Sequence, residues 1–455
     1  MTIGFSPEIL GEALAATDGA DAWQVDMLRN EETQVYVIGD QTESRREVTN
    51  ERARVIIHNL HAPHNPNLSG PMLGNTELTL LSSDTGGTKQ LAARLSDAVA
   101  MASLTDNPPY ELPARSGKGF PAVETMDPTL ANTVSAALEE TIRRLRNAVA
   151  GWSSVRLSSA ELMAARTARS MRNSRGLTGF ELGTDVFLDF VLIAHEGERE
   201  AEFHAELHRR RLSDLNIEGT VDAYATFARH ALDATTPATH QGAVVLSGEA
   251  VANLFNPPLA AGPLVLHTSG QAAFQGVARL KPGDLVTNEE PRGDRLTFLS
   301  DSLRPWGLHS AAFDGEGLPA QSLAVIEDGV FRRPWADARY AAYLGIEPTG
   351  QFANITIPAG AWSLDMLRSA AASPIYEIVA FSFMNPDPAT GDFVAEIKLG
   401  YRHDEYGTTP IKGGALAGNI FAALADVRFS TQTYSDGRYF GPAAMRFGNL
   451  TIAGG

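Results

Sequence analysis

Ten consecutive residues, AEFHAELHRR at positions 201–210, alternate with a period of two: Ala201, Phe203, Ala205 and Leu207 against Glu202, His204, Glu206 and His208. Side chains of a strand point alternately to opposite faces, so the run specifies a half-buried β-strand with one apolar and one charged face. The preceding HEGERE reads as the turn of a hairpin whose first strand lies in GFELGTDVFLDFVLIA. The stretch His195–His208 also concentrates three histidines and five glutamates, in a chain with only 11 His and no Cys. That density raises the question of a metal-dependent hydrolytic site. The helical zinc motif needs Glu directly after the first His and a second His four residues on. Arg199 stands four residues after His195, and in HAELH the Glu falls two residues after His204, so neither half fits. Along a strand, His204, Glu206 and His208 share a face but stand ~7 Å apart, too far to converge on one ion without bending. A solvated strand face is the reading that follows.

Other segments fix the class. TQVYVIG and RARVIIHN are strand-like runs, and after the Gly-rich SSDTGGTK comes an amphipathic helix with Leu91, Leu95, Val99 and Ala102 on one stripe. Five prolines between 107 and 128 exclude regular structure there and suggest a domain boundary. The GKG inside that passage is not a phosphate loop, because Leu112 and Gly119 occupy the positions that need Gly and Ser or Thr. Asp127 and Pro128 read as N-cap and first residue of a helix whose stripe is Leu130, Val134, Leu138, Ile142, Leu145 and Val149, with Glu139/Arg143 and Glu140/Arg144 as i,i+4 pairs. From about 240 onward, short β-like runs recur between Gly, Pro and Asp-Gly turns, broken by the helical WSLDMLRSAAAS and ALAGNIFAALADV. The expected fold class is α+β: an N-terminal mixed sheet with long helices, and a C-terminal β-rich, largely antiparallel, barrel-like domain with a few helices. The expected domains are 1–115, 116–235 and 236–455.

The charge balance bears on partners. With 37 Lys+Arg against 54 Asp+Glu the net charge is -17, which opposes direct binding to nucleic acid or an anionic membrane. The absence of Cys excludes disulfides and thiolate metal sites. The N-terminal residues carry no basic segment followed by an apolar one, and no run approaches the ~18 apolar residues of a membrane span. A soluble cytoplasmic protein is expected. HNLHAPH, with His58, His61 and His64, reads as a polar loop of histidines without a function. G-x-S-x-G and GxGxxG motifs are both missing.

Several motifs, in order, resemble the TldD/PmbA family, once named modulators of DNA gyrase. Asn173, Ser174 and Gly176 match its Asn-Ser-x-Gly turn before a hairpin. Phe313, Asp314, Glu316 and Gly317 match Phe-Asp-x-Glu-Gly; Ile326, Glu327, Gly329 and Val330 match Ile-Glu-x-Gly-Val; Leu344, Gly345, Thr349 and Gly350 follow. SLDMLRSA, ATGDF, Gly418-Asn419 and the terminal LTIAGG complete the match from about 150 to 455, and the N-terminal third agrees only in pattern. The resemblance implies a two-subunit peptidase, in which a zinc-bearing subunit with His-Glu-x-x-x-His and a C-terminal Cys works with a related subunit lacking those ligands. In AVVLSGEAVANLF the two histidine positions hold Gly248 and Asn253, only Glu249 remains, and SDGRYFGPAAM has no thiol. The resemblance therefore implies a PmbA (TldE)-like subunit with no catalytic residue, metal or cofactor of its own, the zinc being held by a homologous TldD-type partner. A heterodimer, with a homodimer possible, would act on unfolded or leader peptides. Asn173, Gly176, Asp314, Gly317, Gly350 and Asn419 are expected to be structural. The alternatives are an independent peptidase or hydrolase with an unrecognised site, and a non-proteolytic protein-binding module.

Overall fold

The computed structural model describes residues 6–81, 87–115, 117–131, 134–257, 261–287, 289–369 and 374–455. The Gly-rich stretch 82–86, the end of the WSLDMLRSAAAS segment at 370–373, and residues 132 and 133 lie outside the described residues.

Six long strands form the first sheet: β1 Ala22–Ile38, β2 Gln41–His61, β3 Met72–Leu81, β4 Val155–Asn173, β5 Thr178–Glu196 and β6 Arg199–Arg209. Their order is β3-β2-β1-β4-β5-β6, every neighbour antiparallel, and the sheet curves into a half-barrel. The alternation at 201–210 does become a strand, β6, and it lies at the edge of this sheet. The expected division at 115/116 separates no sheet, since residues on both sides of it share this one. The Pro-rich passage is bonded along the sheet instead: Pro113 O accepts from the Asn173 amide at 2.7 Å, and Thr125 O from Thr184 N at 2.8 Å. A segment without backbone donors at its prolines can still give its carbonyls to a neighbouring strand.

Four helices cover one face. Helix α1 (Pro7–Ala15), whose N-cap Ser6 accepts from Ile9 N, and helix α2 (Gly87–Ala102) enclose Trp23, Val25, Val55 and Ile57. Helices α3 (Val134–Ala150) and α4 (Ile217–Asp233) cover Leu162, Leu188, Phe190, Phe203 and Leu207, with Leu138, Ile142, Leu145 and Val149 of α3 as the expected stripe. The start of α3 differs from expectation. Asp127 does act as an N-cap, its carboxylate accepting from Thr129 N at 2.9 Å, but of a single 3-10 turn, Pro128–Leu130, while α3 is described from Val134; the same carboxylate also accepts from Leu212 N at 3.0 Å, and the Asp127 N–H donates to Thr184 Oγ1. The i,i+4 pairs are likewise displaced by tertiary partners. Glu139 pairs with Arg45 of β2, Arg144 with Glu218 of α4, and Arg143 with Glu140 three residues away. Exposed pairs are worth well under 1 kcal/mol, so a well-placed fork from a neighbouring element readily wins.

The C-terminal part begins with β7 (His240–Ser247) and the short helix α5 (Glu249–Phe255). Strand β7 runs parallel to Ile375–Pro386 and antiparallel to Ala444–Ala453; Ala415–Asn419 and Asp392–Asp404 continue the sheet, and pairing of Ile375–Pro386 with Asp392–Asp404 closes a five-stranded barrel. A second sheet of six short strands between Phe298 and Pro442 shares its core. The fold is thus α+β with a barrel in its C-terminal part. No helix among the described residues is long and apolar enough to cross a membrane.

Phe190 is fully buried between the sheet and Tyr224 of α4. Phe190→Ala should cost about 3–5 kcal/mol through lost burial and a cavity, measured as a shift of the urea midpoint at constant slope; a loss below about 1 kcal/mol would show that α4 does not pack here as described.

Candidate functional site

A cavity of about 550 Å³ opens between the edge strand β6 and the C-terminal barrel. Its walls bring together two stretches that the sequence analysis treated separately. From β6 come His204, Glu206 and His208; from α5 come Glu249 and Asn253. Lys398, Phe381 and Met384 of the barrel and Asp436 and Arg438 complete it. The charged face of β6 is therefore half-buried in a cavity and ion-paired, where a plainly solvated strand face was expected.

The pairing crosses strands. His204 Nε2 lies 2.5 Å from Asp189 Oδ2, and His208 Nε2 lies 2.7 Å and 2.8 Å from the Asp185 carboxylate oxygens. Asp189 faces Glu206 across the β5–β6 ladder, with Val191 facing His204, so each histidine meets an aspartate on the diagonal. One ligand atom each of Asp189, His204 and Glu206 lies within 4.8 Å of the others. His204 and Glu206 thus approach one another more closely than the ~7 Å expected along a strand, and Asp189 of the neighbouring strand joins them. The hydrogen bond from Asp189 raises the pKa of His204 above its ordinary value, against its partial burial.

Glu249 begins α5. Burial pushes its carboxyl above the usual range, opposed by the Tyr224 hydroxyl, which donates at 3.3 Å, by the amide of Asn253 and by the charges of Lys398 and His204. Burial in turn lowers the pKa of Lys398, whose ammonium lies 4.6 Å from the Phe203 ring. Gly248, the N-cap of α5, has φ 58 and ψ -123. That is a backbone conformation natural to glycine and strained by roughly 1–3 kcal/mol for a side-chain-bearing residue. Any side chain at position 248 would therefore carry that backbone strain.

The remaining family-motif residues are turns and caps. Asn173 is buried and its side-chain oxygen accepts from Arg175 N and Leu177 N, while Gly176 turns the β4–β5 hairpin at φ 76. Asp314 accepts from the N–H groups of Glu316, Leu318 and Gln351; Gly317 closes its turn at φ 91, and Gly350, at φ 83, approaches the Asp314 carboxylate from a separate segment. Asn419 caps the short helix Ile420–Ala423 by accepting from Phe421 N and Ala422 N. HNLHAPH is not simply a loop: His58 and His61 belong to β2, His58 is buried, and only His64 lies beyond the strand.

The raised pKa of His204 sets a pH dependence. A histidine whose folded pKa exceeds its unfolded value, ordinarily about 6.5, adds stability that is complete below that value and is lost as pH rises through the folded pKa. Asp189→Asn should therefore lower the melting temperature most at about pH 6 and progressively less above pH 7; a deficit that grows with pH would contradict the pairing.

Comparison with known proteins follows the same lines. Residues 239–454 match the family described as the PmbA/TldA metallopeptidase C-terminal domain. TldE from Thermococcus kodakarensis superposes with a TM-score of 0.77 at 18% identity, over 98% of this chain and 99% of that one. The protein TM0727 of Thermotoga maritima, described as a candidate modulator of a DNA gyrase, superposes with a TM-score of 0.80 at 16% identity, over 98% and 100% of the two chains. The Methanocaldococcus jannaschii protein MJ0231 is 25% identical over 174 residues, 36% of this chain. The chain spans 41% of the length of that curated relative. The family match places the barrel half, residues 239–454, in the PmbA/TldA metallopeptidase C-terminal domain family, and the fold is shared over nearly the whole length.

Proposed function

We propose that this chain is the non-catalytic subunit, with no metal at the Glu249 position, of a TldD/TldE-type zinc metallopeptidase. In this reading it forms part of the wall of a chamber in which a homologous catalytic subunit, carrying zinc, cuts unfolded or leader peptides. The observation that carries the reading is the degenerate triplet: Gly248 and Asn253 flank Glu249 where the family's ligands would stand, and the chain has no Cys to replace them. Zinc sites take three or four protein ligands at ~2.0–2.3 Å, and one carboxylate beside an amide does not amount to that. The likeness to TldE supports the same subunit type.

The position of β6 supports a mode of substrate binding. Among the described residues it pairs only with β5, so its outer edge can accept an extended peptide as a further strand beside the cavity. Such pairing reads main chain and not sequence. It favours unstructured peptides, because the strands of folded proteins are already paired. With a net charge of -17 the chain is a poor candidate for direct contact with DNA.

A second reading rests on Asp189, His204 and Glu206. If they held a metal beside Glu249, the chain would be a hydrolase in its own right, and His204→Gln would abolish an activity measured with this chain alone.

The first reading is tested by mixing. This chain alone should cleave nothing, a TldD-type homologue alone should be weak or inactive, and the pair should cut an unstructured peptide while sparing its folded counterpart. Cleavage by this chain alone in the presence of a chelator would overturn the reading. Glu249→Gln should leave the activity of the pair nearly unchanged, whereas the same change at the matching Glu of the homologue should abolish it. His204→Gln with His208→Gln should leave the pair active too; loss of cleavage with an intact fold would assign the charged face of β6 to the substrate.

A further inference from the structure

The end of β2 gathers three side chains that the proposed function does not use. His61 is the last residue of β2, His64 lies in the loop that follows, and Asp106 comes after α2. His64 Nδ1 is 3.0 Å from Asp106 Oδ1, and His61 Nε2 is 3.8 Å from the same oxygen. The two imidazoles meet edge to face with centroids 4.9 Å apart. One ligand atom from each of the three residues lies within 4.8 Å of the others. The carboxylate of Asp106 is held in place by the N–H groups of His64 and Asn65, each 3.0 Å from Oδ2. Those bonds keep its pKa below the usual range, so the group is ionised at neutral pH.

An ion pair between His64 and Asp106 accounts for only part of this arrangement. The His61 side chain is 14% exposed, and among the described residues neither of its ring nitrogens has a hydrogen-bond partner. A neutral imidazole has one donor and one acceptor to satisfy, and burying both unmet is unfavourable. At 3.8 Å from Asp106, His61 is too far away for a hydrogen bond. Two donors each about 2.1 Å from one ion are separated by roughly 3.0–3.4 Å at octahedral or tetrahedral angles. The 3.0 Å and 3.8 Å spacings to Asp106 bracket that range, and the third spacing, between the two imidazoles, is within 4.8 Å. His64, 57% exposed, leaves a path for entry.

We propose that His61, His64 and Asp106 bind a divalent transition metal, with zinc the expected ion. His61 would ligate through Nε2, His64 through Nδ1 and Asp106 through one carboxylate oxygen, with a fourth position open to water. Two imidazoles and a single carboxylate suit zinc, and disfavour calcium and magnesium, which take mainly oxygen ligands. The two backbone N–H bonds to Asp106 orient the carboxylate as outer-shell partners do in metal sites. None of these residues lines the cavity at Glu249, so the site stands or falls independently of the subunit reading.

The test is titration of zinc into untagged, full-length protein stripped with chelator, followed by calorimetry, with cobalt absorption reporting the geometry. One equivalent should bind. His61→Gln and Asp106→Asn should each weaken binding by about tenfold or more, while His204→Gln leaves it unchanged. His64→Ala, at an exposed position, should weaken it as well and guards against misfolding of the other variants, whose circular dichroism is compared with wild type. Absence of saturable binding, retention of binding in the His61→Gln/Asp106→Asn double variant, or loss of binding in His204→Gln would each overturn the proposal.

Discussion

The cavity exists because three arginines fasten the half-barrel sheet to the C-terminal part. Arg169, in the middle of β4, reaches Asp26 of β1 through Nε and Nη2 and Glu181 of β5 through Nη1, while the same terminal nitrogens donate to Phe313 O and Asp314 O. Its guanidinium also lies 4.8 Å from the Phe313 ring centroid. Arg210 donates to Gly307 O, Leu308 O and Ser310 O, and Arg209 to Ser435 O and Asp436 O. A planar guanidinium presents five donors in a fixed fork, and lysine could not satisfy these carbonyls in the same geometry. Because these bonds are made to backbone, they fix the position of β6 against the neighbouring segments whatever side chains those carry. The distance from β6 to α5, and with it the cavity, follows from that docking.

The motifs that mark the family are explained by the same seam. The Asn173 turn and the Asp314 turn touch: a Cβ on Gly317 would come within 2.8 Å of Leu177, and one on Gly179 within 2.7 Å of Phe313. Each turn satisfies its own N–H groups through an Asn or Asp side chain, so both keep their shape when packed together. Motif residues here hold the two sheets in register, and none of them enters the cavity.

Period-two runs made β5 and β6 readable, because one buried face constrains every second residue. The helix stripes were readable for the same reason at a period of 3.6. What could not be read was anything decided by residues distant in sequence. His204 and His208 find Asp189 and Asp185 only once the register of β5 against β6 is known, and Glu139 prefers Arg45 to its own helix only once β2 lies alongside. His61 and His64 read as loop residues because Asp106 lies beyond an intervening strand and helix. A His-x-x-His pair followed by a distant Asp is a weak signal on its own, and the only local hint was that three histidines occur within seven residues.

Glu249 is held in the cavity wall by its surroundings. It occupies the first turn of α5, where a carboxylate is favoured by the exposed N–H groups of the helix start. Burial alone would drive the proton back on, and the pKa is indeed raised, but the Tyr224 hydroxyl, the Asn253 amide and the charges of Lys398 and His204 all favour the anion. Replacing Glu249 by an apolar residue would leave the hydroxyl of Tyr224, itself partly buried, without its acceptor. The carboxylate is thus tied into a polar network spanning α4, α5, β6 and the barrel. A carboxylate held in this way has its place accounted for by these partners alone. The network stabilises Glu249 directly, and any side chain at position 248 would have to adopt the strained φ of 58.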